Sequence, residues 1–482
     1  MIRKMACTCL LTAVAMFFAA GGAFANDVVK LSPEKCVELA KTQSMFVKAS
    51  QYNVRAQENA VKSAATAFLP TLSGSVSAMH IYDKPQMELG GGATSGLDFS
   101  SIPKIPGVTD SINRGDLQLI NLLMQSFANL KIETPNNIYT GSLNVEQPIF
   151  MGGRILNGYL AAKYGYEAQK YSHGRLITEI GLSADRLFWG YVGAIKGLEA
   201  VQETRQWFET LFKDQQKMFD NGLIIELDML NTKIQVDNFK LTEEKMDNTI
   251  RTLADQLLLF VGLPQGSEID PDTTMLTAAD AGPVPAVEPG SVDQWVAGRE
   301  DLLAMNCQLK ALKSLKNLQL GAYFPMLTAF GSYGANNQYS TVEGDFQKSS
   351  SIGAQLSWTL VDWGKAWRDA QKVQCQLQAA QLQADNMRDQ IRLKYFELGR
   401  KVDESKKACT IAKEDLETAQ KALKVAKLKY DAQSITNTEL LNARNQLTGK
   451  IVAYAQARIN LILAEEEFKI APLGSGSAQQ TE

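Results

Sequence analysis

The chain of 482 residues carries 49 Lys and Arg against 52 Asp and Glu, a formal charge of -3, with 45% hydrophobic and 8% aromatic residues. That balance leaves no basic surplus for bulk nucleic-acid binding, and His80 and His173 lie far apart while six cysteines form no Cys-x-x-Cys pair, which excludes a zinc site of ordinary spacing. The short glycine signatures of hydrolases, phosphate-binding loops and dinucleotide folds are also absent, so the chain reads as no enzyme, with neither cofactor nor metal.

Arg3 and Lys4 precede an apolar centre, Leu10 to Ala20, and then Ala23-Phe24-Ala25. This is the pattern of a signal peptide over residues 1–25, with the mature chain starting at Asn26. An uncleaved anchor is the competing reading, but the core is shorter than the ~20 apolar residues a span needs. Past Ala25 no apolar run reaches the length of a membrane helix, so any crossing would be made by strands. Cys36, Cys307, Cys375 and Cys409 fall in helix-like segments at wide spacing and are expected to be unpaired.

The chain repeats itself. Ala67-Phe68-Leu69-Pro70-Thr71-Leu72 returns as Ala322-Tyr323-Phe324-Pro325-Met326-Leu327, at an offset of 255. The segment Val145 to Arg154 returns as Leu356 to Lys365 at an offset of 211, and that offset holds to Asp228-Met229-Leu230-Asn231 against Glu439-Leu440-Leu441-Asn442. The difference is a 44-residue insertion in the first half. The expected organisation is a first repeat over 26–263, a proline-rich linker over 264–290, a second repeat over 291–471 and a polar tail over 472–482.

Within each half, Pro33 to Phe68 and Val292 to Tyr323 read as helices closed by Pro70 and Pro325. Period-two texture follows, predicting strands near 71–82, 138–149, 326–338 and 351–361. Apolar residues alternate with small polar ones there, as a strand with one lipid face and one water face requires. Proline-free stretches of about 68 residues, 154–221 and 365–432, predict two very long helices, each roughly 100 Å at 1.5 Å per residue. Their three-four stripes, Ile180, Ala184, Leu187 and Tyr191 in one and Leu416, Ala419, Leu423 and Ala426 in the other, are coiled-coil seams. Residues 83–137 read as an exposed loop.

Four strands cannot enclose a barrel, and open edges in a bilayer cost several kcal/mol per unpaired group. Other copies of the chain must close them. A periplasmic coiled-coil adaptor or scaffold is the alternative, and it leaves the strand alternation unexplained.

The paired Phe-Leu-Pro-Thr-Leu and Gln147-Pro148-Ile149-Phe150-Met151-Gly152-Gly153-Arg154 segments, with the Asp220-Asn221-Gly222-Leu223 break and its Asp431 counterpart, resemble the TolC family of outer-membrane efflux and secretion channels. The resemblance covers nearly the whole mature chain. It implies a mainly α fold with β: a homotrimer with a 12-stranded transmembrane barrel in the outer-membrane lipid, four strands from each chain, on an α-helical barrel crossing the periplasm. The implied partners are a periplasmic adaptor (membrane fusion) protein and an inner-membrane pump of the RND, ABC or MFS class, which supplies the energy for efflux or type I secretion while the channel conducts passively. By the same resemblance, Glu439 and Asn442, with Asp228 and Asn231, stand at a gated pore constriction, and Tyr430 and Asp431 are candidates for interhelix links. Three Glu439 carboxylates about one axis would favour cations; the competing reading is that Asp228 and Glu439 are acids beginning their helices. Ile435 stands where the family has a basic residue. The adaptor-docking tip would be Asn221, Gly222 and Leu223 with Gln433 and Ser434, although Gly222 could equally serve only the chain reversal.

Overall fold

The computed structural model describes residues 29–82, 87–88, 119–120, 122–123, 131–132, 136–277, 289–337 and 345–470. The expected signal peptide and tail, most of the expected insertion and part of the expected linker lie outside them. In chain order the elements are β1 (Val29–Leu31), α1 (Pro33–Gln43), α2 (Met45–Thr66), β2 (Thr71–His80), the two-residue pair β3 (Met87–Glu88) and β4 (Lys131–Ile132), and β5 (Asn137–Met151). Then come α3 (Arg154–Asp220), α4 (Glu226–Val261), β6 (Ile269–Pro271), α5 (Thr274–Thr277), α6 (Pro289–Gly298) and α7 (Glu300–Leu320). A 3-10 turn (Gly321–Tyr323) leads to β7 (Met326–Asn336), β8 (Gln347–Ser357), α8 (Lys365–Asp431) and α9 (Asn437–Ile470). Among the described residues no helix is long and apolar enough to cross a membrane.

Two compact units result. One, Val61–Leu160 with Ser314–Gln374, holds a four-stranded sheet of order β2-β5-β7-β8, every neighbour antiparallel. Ile149 is an extra residue in β5 where the register shifts between Pro148 and Phe150. Proline has no ladder donor, and a bulge is where a strand tolerates it.

The other unit holds the helical bundle. Its larger core gathers Leu31, Cys36, Phe188, Trp189, Val192 and Leu257, all at most 1% exposed. Val292, Tyr395, Val402, Ala464 and Phe468 form a second cluster. Asp185 is enclosed at the edge of the larger core, 7% exposed, and burial, then the nearby Glu466, pushes its carboxyl up to about 6. Burial pushes the Cys36 thiol up to about 12. The four cysteines are free.

Several sequence expectations are corrected. The helix expected over 33–68 is two, broken at Ser44, which is extended (φ -53, ψ 135) and fully buried. Gly262, in the left-handed region at φ +81, packs on that break, where an added Cβ would sit 3.0 Å from the Gln43 carbonyl oxygen. The helix expected over 292–323 is likewise two plus the 3-10 turn, with the junction closed by Arg299 on Asp301, whose Oδ1 accepts from the Leu302 N–H. The last strand is 347–357 rather than 351–361: its partner β7 starts at Met326, opposite Ser357, so the apolar alternation running to Leu360 has no ladder left to join. Within 264–290, the segment expected to link the repeats, the described residues hold β6, which pairs in parallel with β1, and α5.

Candidate functional site: a two-faced sheet and a helical tip

Residues paired across a sheet point to the same face. One face is built from Leu72, Val145 and Ile352, then Leu143 with Tyr333, Val76 with Ala335, and Leu327 with Leu356. The opposite face carries Ser73, Asn144, Ser332 and Ser351, then Ser75, Ser142 and Ser349, then Ser77, Thr140, Asn336 and Gln347. Hydroxyl pairs cross-link this polar face, Ser75 to Ser142 at 2.8 Å and Ser332 to Ser351 at 2.7 Å. Apolar residues are open to solvent on the first face, Val76 at 91% and Ile352 at 93%. The outer edges of β2 and β8 have no strand partner among the described residues.

Within the bundle α3 turns into α4, and α8 into α9. Both long helices stop with the same pair of bonds. The Gly222 N–H donates to the Phe219 carbonyl and that of Leu223 to Met218, both 2.8 Å; 211 residues on, the Gln433 N–H donates to Tyr430 at 2.8 Å and that of Ser434 to Lys429 at 2.7 Å. This is a Schellman stop, which needs a left-handed residue after the helix. Gly222 supplies it at φ +72 and Gln433 at φ +56.

A buried polar network joins the two reversals. Gln215, fully buried on α3, donates through Nε2 to the Tyr430 hydroxyl (3.0 Å) and to Asn437 Oδ1 (2.9 Å). Asn437 donates onward through Nδ2 to the Asp228 carbonyl (2.8 Å) and to Thr232 Oγ1 (3.2 Å), so all four long helices meet in one chain of hydrogen bonds. Deeper in the bundle, Phe208, Val236 and Leu441 pack together. Next to them the buried Arg444 donates to Thr204 Oγ1 at 3.2 Å, lies over the Trp207 ring at 5.7 Å and has its pKa lowered by burial.

Of the expected constriction residues, Tyr430 and the Asp228 backbone enter this network. Glu439 does something else. Its Oε2 accepts from the Thr436 N–H (2.8 Å) and hydroxyl (3.1 Å), and the Glu439 N–H donates back to that hydroxyl (3.3 Å). This is a capping box opening α9, and the bonds from Thr436 hold the exposed carboxyl below the ordinary glutamate value. Glu439 is thus an exposed first-turn acid that caps α9. Asn231 is half-buried and Asn442 exposed, and Asp431, with Tyr430, Met218 and Lys427, lines a cavity of about 430 Å³. Asn221, Gly222, Leu223, Gln433 and Ser434 are exposed at the two reversals. Sequence reasoning missed Gln215, Asn437 and Thr232. The usable signal was polar residues in a three-four seam, Thr204 and Gln215 among Val201, Phe208 and Leu211.

Residues 292–470 match the family model described as outer membrane efflux protein. No curated protein matches the chain by sequence. Among solved structures, a membrane protein from Pseudomonas aeruginosa is similar at a TM-score of 0.70 and 14% identity, covering 92% of this chain and 90% of that one. CusC is similar at 0.71 and 12%, covering 92% of each chain. The outer membrane protein VceC of Vibrio cholerae is similar at 0.67 and 14%, covering 92% of this chain and 96% of its own. With its duplicated strand pairs, its four long helices and this efflux-protein domain, the chain has the fold of the TolC family of outer-membrane channels.

Proposed function

We propose that three copies of this chain close into a duct that carries substrate passively from an inner-membrane pump through the periplasm and across the outer membrane, in a tripartite efflux or type I secretion system. The observation that carries the reading is the sorted sheet: an apolar face beside a hydroxyl and amide face, with two edges unpaired among the described residues. In lipid such edges cannot stay open, and copies joined edge to edge put every apolar face outward and every polar face around water. The reversals lie at the periplasmic end, where a gate is formed, and the Gln215–Tyr430–Asn437–Asp228 network holds each copy's helix ends as one body. Opening then slides copies past one another instead of fraying single helices. Asn221 to Leu223 and Gln433-Ser434, exposed at that end, are the surface offered to a periplasmic adaptor.

Sizing the detergent-solubilised particle is the primary test. A trimer is expected; a monomer that stays in solution without detergent sinks the reading. In planar bilayers, Glu439→Ala is expected to alter cation conductance, and an unchanged conductance would remove Glu439 from the pore lining while leaving its capping role intact.

A further inference from the structure

Where α1, α3 and α9 converge they leave a cavity of about 370 Å³. Its walls are stripes at helical spacing. Gly181, Asp185 and Trp189 come from α3 and Ile462, Glu466 and Ile470 from α9, while α1 adds Val37 and Lys41 with Glu34 and Glu38 beside them. Gly181 makes the room, because a Cβ there would sit 2.8 Å from Lys41 Cε and 3.3 Å from Val37 Cγ1. Trp189, 1% exposed, supplies an aromatic wall, and Val37, Ile462 and Ile470 supply aliphatic ones.

Asp185 is out of keeping with such walls. It is 7% exposed, accepts a hydrogen bond from the Trp189 indole N–H and joins no ion pair among the described residues. The nearby cations are engaged elsewhere: Arg186, next in sequence, pairs with Glu467, and Lys469 pairs with Glu466 at 2.8 Å. The other titratable groups turned toward Asp185 are Glu34, Glu38, Lys41 and the Cys36 thiol from α1 and Glu466 from α9, so acids outnumber bases. A carboxylate enclosed without a counter-charge is costly, and this one keeps its proton up to about 6, by burial and then by Glu466. A cation delivered from outside would remove that cost.

The walls say which cation. Among the described residues no three carboxyl, thiol or imidazole groups gather to hold a metal ion. A strongly hydrated ion would also gain nothing from indole and isoleucine surfaces, whereas an ammonium on an apolar body suits both the acid and the walls. We infer that this cavity binds a small organic monocation, its ammonium against the Asp185 carboxylate and its apolar body between Trp189 and the aliphatic side chains of α1 and α9.

The test adds phenylbutylamine to the full chain in detergent and follows tryptophan fluorescence and melting temperature. Its neutral analogue phenylbutanol, and putrescine, which has charge but no ring, are run beside it. Phenylbutylamine is expected to give a saturable fluorescence change that Trp189→Phe lacks, and to raise the melting temperature. At neutral pH it should bind about tenfold or more tighter than either analogue, and about tenfold or more tighter to wild type than to Asp185→Asn. Its affinity should fall about tenfold from about pH 7 to about pH 5, as Asp185 takes up its proton. Val37→Phe, which fills the cavity and leaves Asp185 in place, should abolish binding. Equal affinity for phenylbutanol, or for Asp185→Asn, overturns the ion pair, and equal affinity for putrescine overturns the apolar body. Undiminished binding to Val37→Phe overturns the location, and no response from wild type overturns the site. None of these failures touches the duct reading, since no strand or helix reversal takes part.

Discussion

The two helix reversals have matching backbones and opposite chemistry. Leaving α3, the first has the favourable residue, Gly222 at φ +72, but it enters α4 through Ile225, which has no side-chain cap. Leaving α8, the second puts Gln433 in the left-handed region, yet enters α9 through a full capping box, Thr436 with Glu439. Each reversal is secured on one side only, and on different sides. What the duplicated halves share is therefore a geometry rather than a set of residues, and the strand-to-helix corners agree, with Gly152 in one and Trp363 in the other.

Variants that move residues between equivalent positions break or sharpen this comparison. The largest effect is expected at the first corner, where a Cβ on Gly152 would lie 2.3 Å from the Gly321 carbonyl oxygen. Gly152→Ala should cost about 3 kcal/mol or more in denaturant unfolding; a loss below ~0.5 kcal/mol would mean that this corner is as open as the second.

Asp185 is buried in the first half, where the position 211 residues later is the exposed Phe396. Its carboxyl is raised from 3.8 to about 6, so the neutral form suits the fold. The stability it lends is complete below the unfolded value and disappears as pH rises through the folded one, about 3 kcal/mol in all. Asp185→Asn should flatten that fall between about pH 4 and 6 and exceed wild type at neutral pH. Parallel pH profiles of melting temperature would refute it.

Asn437→Leu removes the residue that ties one reversal to the other and leaves Gln215 Nε2 with one of its two acceptors, the Tyr430 hydroxyl. A loss of about 2 kcal/mol is expected, whereas the equivalent Glu226→Ala should change stability by less than ~0.5 kcal/mol. The smallest effects belong to the caps. Thr436→Val should cost about 1 kcal/mol, and Ile225→Thr should gain up to about the same by giving the first reversal the cap it lacks. Two equal losses would show that the reversals are not complementary.

The repeat, the strands and the long helices were legible because each leaves a period in the sequence and prolines 70 and 325 mark where the period changes. The break at Ser44 was not, because it answers to Gly262 packing on Gln43, a contact between distant segments. The same holds for β1 and β6, three residues each and far apart in sequence, too short to carry an alternation. The end of β8 was misplaced because alternation reports a strand's faces but not where its partner stops. At the tip, Thr436-x-x-Glu439 was a readable capping box, while the role of Gln215 depended on knowing which helix ends converge.

The polar face of the sheet is almost without charge: across its rows of serine, threonine, asparagine and glutamine the ionisable exception is Glu146. A wall of neutral dipoles holds neither anions nor cations and turns away neither. In the proposed duct the outer exit is thus a permissive conduit, and discrimination among cargoes has to be completed before they arrive there.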